Sequence, residues 1–339
     1  MDNPVICSSC VLPSTFPGIK FNDQGVCNFC QASPNKTDLA LIRNKLKDQM
    51  KQTIQEASGV KNRSYDCVVA FSGGKDSSYT LSLLVEEYGL KCLAITIDNG
   101  FVSEQALANC RTITSKLGVD FLLFTPTPKF MNNMYNRSIE NPEQIHSKLA
   151  LTRASSVCNS CISLINTYMI KVSLQQNIPI IAGGYIGGQV PKDGAVMKLD
   201  LKLQQSLAQG KLEKFQKAFG PNSNDYFAIS DELLKTNQTI TLINPMLTVA
   251  VSEEEIIDRI KKYGWIKTKD TGHHSSNCRL NDLAILMHLK RYHFHPYVAE
   301  VADQVRAGTM TREVALKKIN ELPKIEDLTE QAKKLGLIL

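Results

Sequence analysis

Six consecutive residues have the composition of a phosphate-binding loop: Ser72-Gly73-Gly74-Lys75-Asp76-Ser77. They lie between an apolar run, residues 67–71, and a helical segment, residues 79–88. Adjacent glycines let the backbone turn sharply and present its N–H groups to an anion, and the next helix N-terminus adds partial positive charge. Lys75 adds a full charge. The string differs from the Walker A pattern, since its glycines are adjacent and Asp76 follows the lysine. A tight turn that needs glycine is the alternative interpretation.

Four cysteines near the start of the chain have the spacing of a metal site. Cys7, Cys10, Cys27 and Cys30 form the pattern Cys-x2-Cys-x16-Cys-x2-Cys. This spacing is typical of a structural Zn²⁺ site with four thiolate ligands. Such a site stabilises a segment that is too short for its own core, because metal binding energy becomes folding energy. The pattern predicts a zinc-ribbon module, with four unligated thiols as the alternative.

A second group of cysteines lies further along the chain. Cys158 and Cys161 form a pair at the start of a helical stretch, and the next cysteine is Cys278. One pair alone cannot supply the four ligands of a closed site. We expect the three to converge near the phosphate loop; the alternatives are a redox or persulfide-carrying pair, or unrelated buried thiols. We expect Cys67, Cys92 and Cys110, which lie in apolar patterns, in the core.

Short apolar runs separated by helix-length segments predict the scaffold that positions these residues. The runs cover residues 67–71, 93–97, 121–124 and 179–182 and are rich in β-branched side chains. This pattern predicts parallel strands in a doubly wound α/β sheet. Each run ends in turn or polar residues, and such ends form the ligand-binding edge of a parallel sheet.

The same pass along the chain predicts four segments. Residues 1–31 form the zinc-ribbon module, 32–63 a helical linker, 64–280 the α/β domain and 281–339 a helical C-terminal region. Apolar residues in the linker recur at the spacing of one helix face. Residues 192–237 are polar and weakly periodic, which predicts an insertion of helices and loop over the site.

Composition excludes several classes of protein. The 339 residues are 43% hydrophobic and 21% charged, as in an ordinary globular chain, and no apolar run approaches the roughly 20 residues that cross a bilayer. The net charge of +6 suits ATP or RNA but is too small to require nucleic acid. We find no secretion signal, and six of the ten cysteines lie in Cys-x-x-Cys pairs. We therefore expect a cytoplasmic protein with no membrane partner.

The phosphate loop with its preceding Phe71 resembles the signature of PP-loop ATP pyrophosphatases. This family includes GMP synthetase, asparagine synthetase, tRNA thiolases and N-acetyl sugar amidotransferases. Residues 97–101 resemble the strand end that packs around adenosine, which assigns Asp98 to the nucleotide, and residues 182–185 resemble a later strand end, which adds Gly183. Tyr185 stands where many members have His, and Asn244 where thiolases have Arg, so neither receives a role. The resemblance covers residues 64–278.

The resemblance implies a reaction as well as a fold. ATP is cleaved to AMP and pyrophosphate, and the pyrophosphate is held by the loop, Lys75 and a Mg²⁺ ion. The attacking carbonyl oxygen of the acceptor becomes an adenylate, which a sulfur or nitrogen nucleophile then displaces. Lys75 and Asp76 are accordingly candidate catalytic residues, and positioning and charge stabilisation do most of the work in such chemistry.

Different parts of the chain resemble different members of the family. The order phosphate loop, Cys-x-x-Cys, Gly-Gly, Asn-Pro-Met and single Cys resembles the cluster-dependent tRNA thiolases. In those enzymes the three cysteines hold a 4Fe–4S cluster with one iron open to a sulfur ligand. This implies catalytic and metal-binding roles for Cys158, Cys161 and Cys278. Both ends of the chain, residues 7–30 and 295–313, resemble the N-acetyl sugar amidotransferases.

The leading hypothesis is an ATP-dependent sulfurtransferase that replaces a carbonyl oxygen by sulfur on a nucleobase, nucleotide or similar small metabolite. One alternative is amidation of an N-acetyl sugar nucleotide with ammonia from a glutaminase partner. Another is a zinc-ribbon nucleotide-binding protein without catalysis. Since no arginine-rich or interleaved aromatic patch is present, a small-molecule acceptor is preferred over RNA. A protein sulfur donor is the partner expected for thiolation, and a homodimer is compatible with the sequence.

Overall fold

The computed structural model describes residues 4–58, 63–191, 193–199, 201–235 and 239–337. Residues 1–3, 59–62, 192, 200, 236–238 and 338–339 lie outside the described part. They belong to the predicted zinc-ribbon module, helical linker, polar insertion with the residue after it, and C-terminal region. Within the described part, a central sheet carries helices on both faces. No helix there is both long and apolar enough to cross a membrane.

The sheet has six strands in the order β3-β2-β1-β4-β6-β5. All neighbours are parallel except β5 and β6, which are antiparallel. The predicted doubly wound, mostly parallel sheet is therefore confirmed. The strands are β1 Cys67–Ala70, β2 Cys92–Ile97, β3 Asp120–Phe124, β4 Ile180–Ala182, β5 Val196–Leu199 and β6 Ile240–Ile243.

Sixteen α-helices surround this sheet in the described residues, and the longest are α2, α8 and α9. They are α1 Asn28–Gln31, α2 Lys36–Ser58, α3 Lys75–Glu86, α4 Glu104–Leu117, α5 Pro128–Glu140, α6 Pro142–Ile145, α7 Lys148–Leu151, α8 Ser156–Gln175, α9 Leu201–Phe219, α10 Ser223–Phe227, α11 Asp231–Leu234, α12 Glu253–Lys261, α13 Asn281–Tyr292, α14 Val298–Ala307, α15 Arg312–Asn320 and α16 Thr329–Leu335. Two 3₁₀ turns cover Pro245–Thr248 and Ile325–Leu328.

Buried strands and two helical layers form the core. On one face α2, α3, α4 and α12 pack on β1 and β2 through residues such as Leu81, Ile113 and Ile260. On the other face α8 packs on β1, β2 and β4 through Met169 and Val172. The carboxyl ends of the five parallel strands, β1 to β4 and β6, thus open between the layers, where ligands bind in folds of this type.

Two strands were not predicted. β6 is a short apolar run before Asn244, and β5 lies inside the segment that was expected to hold only helices and loop. β5 is an edge strand with partly exposed residues, and it pairs only with β6 among the described strands. Its hydrophobic pattern is weak because one side of the strand has no neighbour, so the sequence held no clear period-2 signal.

Both ends of the chain pack together. Cys7, Leu12 and Phe16 share one hydrophobic cluster with Val298 of α14 and Ala315 of α15. Arg312 also donates hydrogen bonds to the backbone oxygens of Cys10 and Cys7, each at 2.9 Å. The N-terminal cysteine module and the C-terminal helices therefore share a core, although they are far apart in sequence.

The linker helix α2 is part of the sheet core, and this can be tested. Met50 is fully buried in the cluster on β1, whereas Leu41 of the same helix is 63% exposed. We expect Met50→Ala to lower the free energy of unfolding by about 2–5 kcal/mol, because it leaves a cavity. Leu41→Ala should change it by less than about 0.5 kcal/mol. Urea unfolding of both variants measures these free energies. Equal, small changes in the two variants would contradict the packing of α2 on the sheet.

Candidate active site

The phosphate loop follows β1 directly and leads into α3. Gly73 adopts φ +69°, and a Cβ there would lie 2.1 Å from the backbone oxygen of Ala106 in α4. Only glycine fits this contact. The Gly73 oxygen accepts hydrogen bonds from Asn109 Nδ2 at 3.3 Å and Trp265 Nε1 at 3.0 Å. The turn is thus held in place by α4 and by the segment after α12.

Lys75 and Asp76 begin α3 and line a cavity of about 370 Å³. The Lys75 ammonium donates to both Asp76 carboxylate oxygens at 2.9 Å. Burial lowers the pKa of Lys75, but the charges of Asp76 and Glu253 outweigh it and raise that pKa overall. The lysine therefore stays charged and can pair with a phosphate that enters the cavity.

Two other loops contact the phosphate loop. Ser276 Oγ accepts the Lys75 backbone N–H at 3.1 Å, and a Cβ on Gly74 would lie 2.9 Å from the same oxygen. A Cβ on Gly184 would lie 3.3 Å from the backbone N of Ser77. The ends of β1 and β4 and the segment before α13 therefore meet at one edge of the sheet.

The other residues expected at the nucleotide make local contacts at the strand ends. Asp98 Oδ1 accepts the Gly100 N–H at 3.0 Å in the turn after β2. Gly183 donates its N–H to the Ile243 oxygen at 3.0 Å, and its α-carbon faces the Tyr185 ring. Ser77 Oγ lies 3.1 Å from Ser72 Oγ across the loop. Of the nucleotide-site residues predicted from the sequence, Lys75 and Asp76 line the described cavity.

The C-terminal helices form the opposite wall of the cavity. Tyr297, Glu300, Asp303 and Arg306 line it from the start and one side of α14, and Lys318 lines it from α15. The spacing of these residues in the sequence does not match a known binding motif. The cue for them in the sequence was the resemblance of residues 295–313 to the amidotransferases.

The second cysteine group comes together at the carboxyl end of β2. Asn99 Nδ2 lies 3.7 Å from the Cys161 sulfur and 3.9 Å from the Cys278 sulfur. Cys158 lies one helical turn before Cys161 in α8 and is close enough to both other thiols to influence their charge. Cys278 reaches this position because it pairs with Val102 in an isolated β-bridge.

Polar side chains surround these thiols. Tyr135 OH lies 3.0 Å from the Cys161 sulfur, and Asn281 Oδ1 lies 3.9 Å from that of Cys158. Tyr297 donates to Asn281 Oδ1 at 2.6 Å and also lines the cavity. Tyr297 thus links the surroundings of the thiols to the cavity. The buried Asn281 Nδ2 has no hydrogen-bond partner among the described residues.

Burial controls the protonation of the three thiols. It raises the pKa of Cys161 to about 12 and that of Cys278 to about 11, and the neighbouring thiols add to both effects. The pKa of Cys158 is also raised by burial. Neutral thiols are weak nucleophiles, so this environment does not favour a reactive redox pair in the absence of a metal.

The four N-terminal cysteines form a compact group. Their sulfurs all lie within 4.8 Å of one another, with Cys7 to Cys30 at 3.9 Å and Cys10 to Cys27 at 3.8 Å. Four sulfurs about 2.3 Å from a tetrahedral ion would be about 3.8 Å apart. The Cys7 sulfur accepts backbone N–H groups from Cys10 and Cys27. The group has the size and the hydrogen bonds of a metal site.

Several residues of the site were missed from the sequence. Asn99 lies in the polar turn after β2, so its position at the strand end was a usable signal. Tyr135, Asn281 and Glu300 lie in helices with ordinary amphipathic patterns. Their approach to the site depends on helix packing, which single-sequence periodicity does not specify.

No family model matches the chain. An uncharacterised protein of Methanocaldococcus jannaschii is 24% identical over 274 residues, which cover 80% of this chain and 79% of that protein.

Solved structures with some similarity include three enzymes. The U34-tRNA thiolase NcsA from Methanococcus maripaludis, with its 4Fe–4S cluster, is 14% identical, and the match covers 100% of both chains at a TM-score of 0.35. NMN synthetase from Francisella tularensis is 17% identical over 75% of this chain and 94% of its own, at 0.31. The NH₃-dependent NAD synthetase of Campylobacter jejuni is 14% identical, and the match covers 67% of this chain and 98% of that chain at a TM-score of 0.30.

Scores of this size assign no function to the chain. The sheet order and the position of the glycine loop between β1 and α3 are independent of these neighbours. At the level of the fold they match the α/β class predicted from the sequence, in a chain with a four-cysteine group at its N-terminus and helices at its C-terminus.

Proposed function

We propose that the protein is an AMP-forming ATP pyrophosphatase that transfers sulfur to the carbonyl carbon of a small acceptor, such as a nucleobase or nucleotide. The acceptor oxygen attacks the α-phosphorus of ATP, pyrophosphate leaves, and a sulfur nucleophile displaces AMP. Lys75 binds the phosphates, and Asp76 holds Mg²⁺. One observation carries the sulfur proposal: three partly buried cysteines converge at the carboxyl end of β2, and Cys278 follows Ser276, which contacts the phosphate loop.

Only a short stretch of chain separates the contact with the phosphate loop from the group of three thiols. Ser276 contacts the loop through Lys75, and Cys278 follows two residues later. Tyr297 lines the cavity and donates to Asn281 Oδ1, which lies 3.9 Å from the Cys158 sulfur, so it connects the thiols with the cavity. This arrangement supports sulfur delivery to an adenylate formed at Lys75.

The donor set fits a 4Fe–4S cluster held by Cys158, Cys161 and Cys278. Thiolates are the usual ligands of such clusters, and three leave one iron without a protein ligand. The unpartnered Asn281 Nδ2 is a donor that can bond a cluster sulfur. When bound, the cluster would supply an open iron that can hold sulfide.

We further propose that Cys7, Cys10, Cys27 and Cys30 hold Zn²⁺ in a structural role. The four sulfurs have the separation of a tetrahedral site, and all four positions are protein ligands, so none is left for a substrate. The module shares its core with α14 and α15, which line the cavity. Its role would be to support that wall.

Amidation of an N-acetyl sugar nucleotide is a second candidate. The C-terminal segment that resembles the sugar amidotransferases lines the cavity through α14 and packs on the cysteine module. Ammonia would replace sulfide as the nucleophile, supplied by a glutaminase partner. The three converging thiols would then have no assigned chemistry.

Replacing Cys161 tests the sulfur proposal. We expect Cys161→Ala to lose bound iron and sulfur transfer, because a three-thiolate cluster loses a ligand, while AMP formation survives at least in part. Cys92→Ala, at a buried thiol in β2 away from the group, is the matched control and should keep both activities. The measurements are iron, sulfide and zinc content after anaerobic purification, and AMP release. Colourless wild-type protein with zinc alone would contradict sulfur transfer and favour amidation.

A further inference from the structure

Glu300 of α14 is a carboxylate in the cavity that the proposed reaction has not used. It lines the same cavity as Lys75 and Asp76. Gln189 Nε2 donates to Glu300 Oε2 at 2.8 Å, and Gln304 Nε2 donates to Oε1 at 3.3 Å. Both donors are neutral amides, so they fix the direction of the carboxylate without neutralising it.

The other acids of the cavity are each paired with a cation. Asp76 pairs with Lys75, Glu253 with Lys318 and Asp303 with Arg306, at 2.6–3.2 Å. In the described part of the chain, Glu300 has no such salt bridge. It is therefore the acid in this cavity that remains available to take a proton or to repel an anion.

The loop after β4 holds Glu300 in place. A Cβ on Gly188 would lie 2.5 Å from the Glu300 α-carbon, and one on Gly187 would lie 2.1 Å from Asp303 Oδ2. These close backbone contacts tie α14 to the edge of the sheet where the phosphate loop begins.

The charges around Glu300 suit a group that changes protonation near neutral pH. The pKa of Glu300 is raised to about 7. Burial is the main cause and the charge of Asp76 adds to it, while Lys75, Gln189 and Lys318 partly offset the rise. Tyr297 also faces it, and burial raises the pKa of that phenol, so it stays neutral. Above pH 7 the carboxylate is ionised and can accept a proton; below it the acid form dominates.

We propose that the Glu300 carboxylate is the proton acceptor of the adenylation step, and that the acceptor is a neutral amide or lactam with an N–H next to its carbonyl carbon. The C=O π bond of the acceptor breaks as its electron pair bonds the oxygen to the α-phosphorus, and the bond from that phosphorus to the bridging oxygen breaks, with its electron pair leaving on pyrophosphate. The N–H proton passes to Glu300, and the N–H electron pair forms the new C=N bond. The proposal rests on the AMP-forming function proposed above.

The same geometry disfavours carboxylate acceptors. A carboxylate has no N–H proton to give, and its negative charge would be repelled by ionised Glu300. The proposed acceptor class therefore follows from the unpaired Glu300 carboxylate in the cavity that Lys75 and Asp76 also line.

The test compares Glu300→Gln and Glu300→Asp with Glu254→Gln, an exposed acid of α12 outside the cavity lining. Acceptor-dependent AMP release is measured with UDP-N-acetylglucosamine and ammonium, with total transfer RNA and sulfide, and with nicotinic acid mononucleotide as the carboxylate probe. ATP affinity is measured separately by titration. All proteins are full-length and loaded with their metals.

We expect an amide probe to react and Glu300→Gln to slow it by about 10²–10⁴-fold with ATP affinity unchanged. The wild-type rate should rise as the pH passes through about 7, because Glu300 loses its proton there. The Glu300→Gln variant should not show this rise. Glu300→Asp should recover part of the rate, and Glu254→Gln should match the wild type. A Glu300→Gln rate within threefold of wild type, or an unchanged pH profile, would overturn the proposal.

Other outcomes separate this proposal from the proposed function. AMP formation with the carboxylate probe alone, or with neither amide probe, would overturn the assignment of Glu300 and of its acceptor class. If an amide is adenylated and then takes ammonia, sulfur transfer fails but the role of Glu300 stands. Formation of ADP in place of AMP would contradict the proposed function itself.

Discussion

Lys75→Ala and Asp76→Ala will each abolish AMP and pyrophosphate formation while leaving the fold intact. Lys75 is the cation at the start of α3 that faces the cavity, and Asp76 is the carboxylate that holds it before ATP binds. The first change removes the charge that binds the leaving pyrophosphate, and the second removes the proposed Mg²⁺ ligand. Removing fixed charges of this kind costs rate far more than stability.

The measurement is nucleotide chromatography after incubation with ATP and acceptor, together with thermal unfolding. Lys129→Ala changes an exposed lysine at the start of α5 and is the matched control. Both site variants should unfold close to the wild-type temperature, since the Lys75–Asp76 pair is partly exposed. Normal turnover in either variant would remove the central claim about the phosphate loop.

Cys10→Ser will release the N-terminal metal and lower the melting temperature. The Cys10 side chain is fully buried, and its sulfur lies 3.8 Å from that of Cys27. Structural Zn²⁺ contributes about 10–16 kcal/mol to the folding of isolated zinc-finger peptides at pH 7, so even a fraction of this is a large effect. The shared core predicts that α14 and α15 loosen as well.

Zinc analysis measures the loss of metal, thermal unfolding measures the melting temperature, and hydrogen exchange of α14 measures the loosening of that helix. Ser9→Ala changes an exposed residue between two ligands and should leave all three unchanged. A Cys10→Ser protein that keeps its zinc and its melting temperature would show that ligation by four thiolates is wrong.

Much of the scaffold could be predicted from local patterns. The boundaries of β1 to β4 differ by one residue from the apolar runs. β1 and β4 are buried along almost their whole length, and such strands are continuously hydrophobic. The phosphate loop was recognisable because its chemistry is contained in six consecutive residues. Cys67, Cys92 and Cys110 are buried as expected, at 0–2% exposure.

The walls of the site could not be predicted in this way. Tyr135, Tyr297 and Glu300 reach the site through contacts between helices that are distant in sequence. β5 was missed because an edge strand has a weak hydrophobic pattern. The convergence of Cys161 and Cys278 likewise depends on the isolated bridge of Cys278 with Val102, a long-range pairing without a local signal.

The hydrogen bond from Arg312 to the Cys7 oxygen joins residues 305 positions apart, and it sets the order of events during synthesis. At about 5–20 residues per second, a ribosome needs roughly 15–60 s to travel from one to the other. During that interval the cysteine module has no partner for Leu12 and Phe16, and its thiols are open to oxidation or to a wrong metal. Early metal capture would protect the nascent module until α14 and α15 emerge. Cells starved of zinc should therefore lose newly made protein sooner than protein that is already folded.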